Sequence, residues 1–107
     1  KLALQYLEKG IKNNPDSTEL LEARMLINME LKEFKNAAKD AEAILKLSPN
    51  HFQAQFSLGT SHFFRADYDK AAKILGQTLS NYPTSVEVRV NYAMSLLGQK
   101  KYEDGLN

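Results

Sequence analysis

The chain has 107 residues, of which 43% are hydrophobic, with 14 Lys and Arg against 13 Asp and Glu; this length allows one compact unit and leaves no room for a second domain. A net charge of +1 gives no long-range field that would gather nucleic acid or an anionic membrane. Cysteine is absent, which removes disulfides, thiolate nucleophiles and thiolate metal sites and leaves the redox compartment open, and no apolar run approaches the roughly 18 to 20 residues of a membrane span.

In chain order, residues 1 to about 13 read as an amphipathic helix with Leu4, Leu7 and Ile11 at three- and four-residue spacing, followed by Pro15. Residues 17 to 31 form the next helix, in which Leu20, Leu21, Met25, Leu26, Ile27 and Leu31 cover more than one face, as expected of an inner helix of a stack. From Phe34 to Leu47 the pattern is amphipathic, with Ala37, Ala38, Ala41, Ile44 and Leu45 opposed to Lys35, Lys39, Asp40, Glu42 and Lys46. Residues 51–65 and 68–81 repeat that pair, and 85–98 give a third first-helix. Gly98 and Gln99 are expected to turn the chain before Tyr102 opens a short final helix.

These elements recur with a fixed step. The three prolines, Pro15, Pro49 and Pro83, are each 34 residues from the next, and so are Phe34, Tyr68 and Tyr102, and Ala3, Ala37 and Ala71. Asp16 with Glu19, Asn50 with Gln53 and Thr84 with Glu87 each have the spacing of a capping box, which would open a helix at the same place in each copy.

A 34-residue period with two helices per copy resembles the tetratricopeptide repeat. Residues 52–85 carry Gln55-x-x-Leu58-Gly59-x-x-His62, then Ala71-x-x-x-Leu75, then Pro83, against the family pattern Trp-x-x-Leu-Gly-x-x-Tyr, Ala-x-x-x-Phe, Pro. The departures are Gln55 and His62, where aromatics are usual. In the preceding copy Met25 stands for the glycine, and Arg24 and Asn28 take places usually apolar. The resemblance implies an all-α fold, a right-handed superhelix of antiparallel helix pairs. One array would span 1–107, divided into the second half of a repeat (1–17), repeats at 18–51 and 52–85, and a truncated repeat at 86–107. A chain that enters and leaves in mid-repeat reads as a piece of a longer array. Within the superfamily, the run Leu47-Ser48-Pro49-Asn50-His51 before a Phe-rich helix resembles bacterial repeat proteins of exopolysaccharide and protein-sorting systems.

In this family the first helices line a concave groove. Carried over residue by residue, the expected partner-binding set is Glu22, Leu26, Met29, Phe56, Thr60, Phe63, Val90, Asn91 and Met94, apolar at the middle with acidic charges nearby. Aromatic and methionine side chains can bury a partner's apolar residues in shallow pockets, although Phe52, Phe56, Phe63 and Phe64 also read as stack core. A clamp for a C-terminal carboxylate is not expected, because its places carry Glu22, Leu26, Ser57, Glu87 and Asn91, and acids repel that ligand.

Arg24 and Asn28 are read as structural, with the Arg24 head paired to a nearby Glu. His62 is expected to bond across its helix pair, and His51 to sit in a loop. Neither histidine has a metal-ligand partner. No nucleophile elbow, phosphate loop or zincin spacing is present, so neither enzyme activity nor a cofactor is expected. The implied function is a protein-interaction scaffold. Its groove would hold a peptide or helix with apolar anchors and neutral or basic flanks, without nucleic acid or a membrane span. The alternative is a structural array that self-associates through its truncated C-terminal end, with Leu97 and Leu106 exposed.

Overall fold

The computed structural model describes residues 2–106, with side chains through residue 101. Its six helices are α1 (Leu2–Asn13), α2 (Thr18–Glu30), α3 (Phe34–Leu47), α4 (Phe52–Phe64), α5 (Tyr68–Asn81) and α6 (Val86–Leu106). No strand occurs among the described residues. Each helix packs antiparallel on the next, and in addition α2 packs on α4 and α4 on α6. Among the described residues, no such contact joins α1 to α3 or α3 to α5. The first helices α2, α4 and α6 therefore line the inner side of a solenoid, and α1, α3 and α5 its outer side.

The turns repeat as faithfully as the helices. Lys32 and Ala66 both adopt left-handed backbone, φ 63° and 62°. At each, the following N–H closes back over the helix end, Glu33 to the Asn28 carbonyl and Asp67 to the His62 carbonyl, both at 2.8 Å. This is the Schellman closure, made here without glycine. At the other end of each repeat, Ser17, His51 and Ser85 donate their N–H to the carbonyls of Asn14, Ser48 and Tyr82, each at 3.1 Å. Proline occupies the second position of all three turns, where its fixed φ is preorganised.

That turn corrects the expected capping boxes. Asp16, Asn50 and Thr84 are consumed as third turn residues, so the cap moves on by one. Ser17 Oγ accepts from Leu20 N–H, His51 Nδ1 from Ala54 N–H and Ser85 Oγ from Val88 N–H. Instead of a glutamate reaching back, Gln55 Nε2 and Arg89 Nη2 donate to the carbonyls of Pro49 and Pro83, at 2.9 and 2.7 Å.

A second correction concerns α6, which runs unbroken through Gly98 and Gln99. Both residues fasten the helix instead of turning it. A Cβ on Gly98 would lie 2.6 Å from the Tyr68 ring, so the glycine makes room for that ring. Gln99 Nε2 donates to Asp69 Oδ1 at 2.7 Å. The side chains of Tyr102 and Leu106 lie outside the described residues.

The core is built from the expected alanine face of α3. Leu21, Met25, Ala37, Ala38, Ala41, Ile44, Ala54 and Leu58 form one buried cluster. In the next copy Ala71, Leu75 and Val88 are fully buried. The size pattern alternates between copies. Met25 and Ala41 stand where the next copy has Gly59 and Leu75, and a Cβ on Gly59 would come within 2.7 Å of Leu75. The methionine that breaks the family pattern is thus matched by a small residue on the facing helix.

The same exchange explains Arg24. Its guanidinium makes a two-pronged contact with Asp40, Nε to Oδ2 at 3.0 Å and Nη2 to Oδ1 at 2.6 Å, in place of the next copy's Leu58 and Ile74. The partner is therefore Asp40, not a glutamate, and Asp40 is buried, not on the solvent face of α3. The hydrogen bond to Asp40, with that carboxylate's charge and Glu8's behind it, raises the Arg24 pKa against the opposing effect of burial. Removing one member of such a pair strands the other charge. Arg24→Leu is expected to cost about 3 kcal/mol in urea unfolding. Arg24→Leu with Asp40→Ile, the pair the next copy uses, should recover most of it, and an unrescued double variant would count against the exchange.

Candidate groove along the first helices

Successive first helices place equivalent residues side by side at the 34-residue step: Glu22, Phe56 and Val90; Ala23, Ser57 and Asn91; Leu26, Thr60 and Met94; Met29, Phe63 and Leu97. Four of these residues join neighbouring helices. Across α2 and α4, His51 Nε2 lies 3.2 Å from Glu22 Oε1, and Ser61 Oγ donates to Met29 Sδ at 3.3 Å. Across α4 and α6, Asn91 Nδ2 donates to Thr60 Oγ1 at 3.0 Å. Thr60 is buried, Glu22, Met29 and Asn91 are half-buried, and all four spend polar atoms or sulfur on the seam.

The remaining expected residues divide. Leu26, Val90 and Met94 are exposed, by 40%, 48% and 45%, with Leu97 at 55% beside them. The four phenylalanines do not form one stripe. Phe56 stacks on Phe52, whose ring meets Tyr82 edge-on at 4.7 Å, all near the start of α4. Phe63 is half-buried at the other end, its edge on Phe64 and Tyr68, while Phe64 stacks on Phe34 at 4.8 Å. Phe63 therefore braces the α4–α5 turn. Sequence reasoning missed the roles of Ser61, Phe34 and the His51 cap. Only the last had a signal, since position 51 repeats the serines at 17 and 85.

The acidic character persists. Glu19, Glu30 and Glu87 are exposed and make no salt bridge among the described residues. No group of metal-ligating side chains occurs among the described residues, and no helix is long and apolar enough to cross a membrane. An open depression of about 720 Å³ lies away from the seam, lined by Pro15, Leu21, Lys39, Ala43 and Leu47.

Two buried polar atoms lack a hydrogen-bond partner among the described residues, Gln55 Oε1 and His62 Nδ1. They sit at the two places where α4 departs from the aromatic pattern. His62 does not bond across its helix pair; its nearest acid is Asp67 in the following turn, with Oδ2 at 3.4 Å from Nδ1. Burial pushes the imidazole below its ordinary 6.5, outweighing the pull of Asp67 and Glu42, while Arg65 and Lys70 add to the depression. A base with a depressed folded pKa stabilises the fold fully above its unfolded value and loses that contribution as pH falls through the folded one. Urea unfolding of the parent chain should therefore weaken more steeply below about pH 6.5 than that of His62→Gln. Parallel pH profiles would show that burial of His62 carries no such linkage.

Residues 30–107 match the family described as anaphase-promoting complex, cyclosome, subunit 3. Hsp70-Hsp90 organizing protein 3 of Arabidopsis thaliana is 27% identical over 85 residues, which cover 79% of this chain and 15% of that protein. MamA (residues 41 to end) from Desulfovibrio magneticus RS-1 superposes with a TM-score of 0.85 at 22% identity, over 95% of this chain and 58% of that one. The Sgt2 TPR domain from Aspergillus fumigatus gives 0.83 at 18% identity, over 97% and 70%. With its 34-residue period, its paired helices and a match over residues 30–107, the chain is a tetratricopeptide-repeat protein and belongs to the anaphase-promoting complex, cyclosome, subunit 3 family.

Proposed function

We propose that this array is a non-catalytic protein-interaction module whose first helices hold a segment of a partner protein, a peptide or helix with apolar anchors and neutral or basic flanks. The observation that carries the reading is the exposed apolar set Leu26, Val90, Met94 and Leu97 on the inner side, bordered by the carboxylates of Glu19, Glu30 and Glu87, which make no salt bridge among the described residues. Apolar side chains at that exposure can be covered by a partner, and the surrounding acids favour cationic neighbours over anionic ones. Glu22, Met29, Thr60 and Asn91 hold the floor in register, and Phe56 and Phe63 brace its two ends. The names of the similar proteins, a chaperone-organizing protein and an Sgt2 TPR domain, support an interaction role.

Selection of short random peptides on the immobilised chain tests this. Expected are sequences with apolar anchors and Lys or Arg nearby, whose binding falls at least about tenfold with Leu26→Glu, Met94→Glu and weakens with salt. Enrichment of acidic peptides, or equal binding by the substituted chain, would remove the inner side as the binding surface.

A second reading rests on a separate observation. Leu96 is 43% exposed where its equivalent His62 has a side chain only 12% exposed. This outer flank of α6 offers apolar surface for a second copy. If copies associate there, sedimentation should show mass rising with concentration, and Leu96→Lys should return the chain to a monomer; a concentration-independent monomer counts against it.

A further inference from the structure

The three first helices begin on the same turn but not on the same cap. At α2 and α6 the capping atom is a serine Oγ, which accepts from Leu20 and Val88 N–H, each at 3.3 Å. At α4 it is a ring nitrogen, His51 Nδ1, which accepts from Ala54 N–H at 3.1 Å. That bond requires a lone pair on Nδ1, and the ring's other nitrogen, Nε2, faces Glu22 Oε1 at 3.2 Å. A carboxylate only accepts, so Nε2 carries the hydrogen. The two contacts together fix the neutral Nε2–H tautomer.

We propose that His51 is a pH-sensitive latch at the start of the central helix: a proton on Nδ1 removes the cap of α4 and keeps, as an ion pair, the link to Glu22 on α2. The proton turns the acceptor into a donor facing another donor, and it adds positive charge at a helix N-terminus, where the exposed N–H groups already disfavour cations. Glu22 acts in the opposite sense, since the charged ring binds its carboxylate more strongly. The latch therefore exchanges one contact for the other. Acidification frees the first turn of α4 while drawing His51 towards α2.

The surroundings leave few other groups to blur the exchange. α4 carries no Asp, Glu, Lys or Arg from Phe52 to Phe64. On the α3–α4 turn, Tyr82 from the end of α5 commits its hydroxyl to the Asn50 carbonyl at 2.8 Å. Glu22 is the acid facing the ring from α2. The serine caps at Ser17 and Ser85 have no group that changes charge with a proton in this range. The array thus holds a titratable cap between two indifferent ones. Its consequence for binding, through Phe56 and the Thr60–Asn91 bridge on the same helix, rests on the groove reading above; the latch itself does not.

The test reads the cap directly and needs no partner. Amide resonances of Ala54, Leu20 and Val88 are followed in the His62→Gln chain, so that His51 is the only histidine, from about pH 8 to about pH 5, the range in which histidine changes charge. Expected are a sigmoidal shift and a loss of exchange protection of about fivefold or more at Ala54 alone, the scale of a lost cap. His51→Ser should leave Ala54 as insensitive to pH as Leu20 and Val88. A flat Ala54 profile, an equal response at all three amides, or an undiminished response in His51→Ser would each overturn the proposal. A chain that titrates at Ala54 yet selects no peptide leaves the latch standing and removes the groove.

Discussion

The close approach of each first helix to its own second helix is the constraint on which the stack depends. Gly59 has no room for a side chain because Leu75 fills the place, and Met25 is accommodated because Ala41 does not. Volume on one helix is conserved against volume on the other, so the spacing of the pair stays fixed while the residues change. A packed interior tolerates such exchanges because it answers to total volume and shape more than to identity. Arg24 with Asp40 against Leu58 with Ile74 extends the rule from size to polarity. Only the matched pair is compatible with burial, since either charge alone would be left without its partner.

Once the pairs are spaced, the seams between first helices decide what remains available on the inner side. Glu22, Met29, Thr60 and Asn91 are tied to α4 or α6 neighbours, which satisfies groups that half-burial would otherwise leave unpaired. Among the described residues, the side chains left uncommitted are apolar or acidic apart from Gln53. The division follows from position. A polar group facing an adjacent helix finds a partner within the array, while one facing the open side has only water or a ligand.

Much of this was legible in the sequence, because the period is written in residues whose role is local. Prolines, alanines and the Phe34, Tyr68 series mark turn, close packing and helix start without reference to anything distant, and the bounds of α1 to α5 followed to within a residue or two. What the sequence concealed depends on contacts between copies. Gly98 and Gln99 look like a turn until Tyr68 and Asp69 are placed against them. Asp16, Asn50 and Thr84 look like caps until the proline turn claims them. Asp40 reads as a surface residue on an amphipathic helix, and only the position of Arg24 shows it to be buried. The inner side of the stack was legible as aligned positions and not as a surface, since the 34-residue step aligns Thr60 with Met94 but cannot say that the first is buried under Asn91 and the second left 45% exposed.

The net charge of +1 conceals a separation that bears on what such a surface can attract. The first helices carry Glu19, Glu22, Glu30 and Glu87; of their two arginines before Lys100, Arg24 is paired with Asp40, while Arg89 donates to the neutral Pro83 carbonyl and keeps its charge, which leaves the acids in excess. The second helices carry Lys9, Lys12, Lys35, Lys39, Lys46, Lys70 and Lys73, against fewer acids, one of them the buried Asp40. Opposite signs on the two sides cancel in the sum and not at close range. With charge interactions screened over about 8 Å at physiological salt, an approaching segment senses the side it meets and little of the other. The local charge is therefore mainly negative on the inner side and mainly positive on the outer one, and composition alone, which reports only the sum, gives no sign of it.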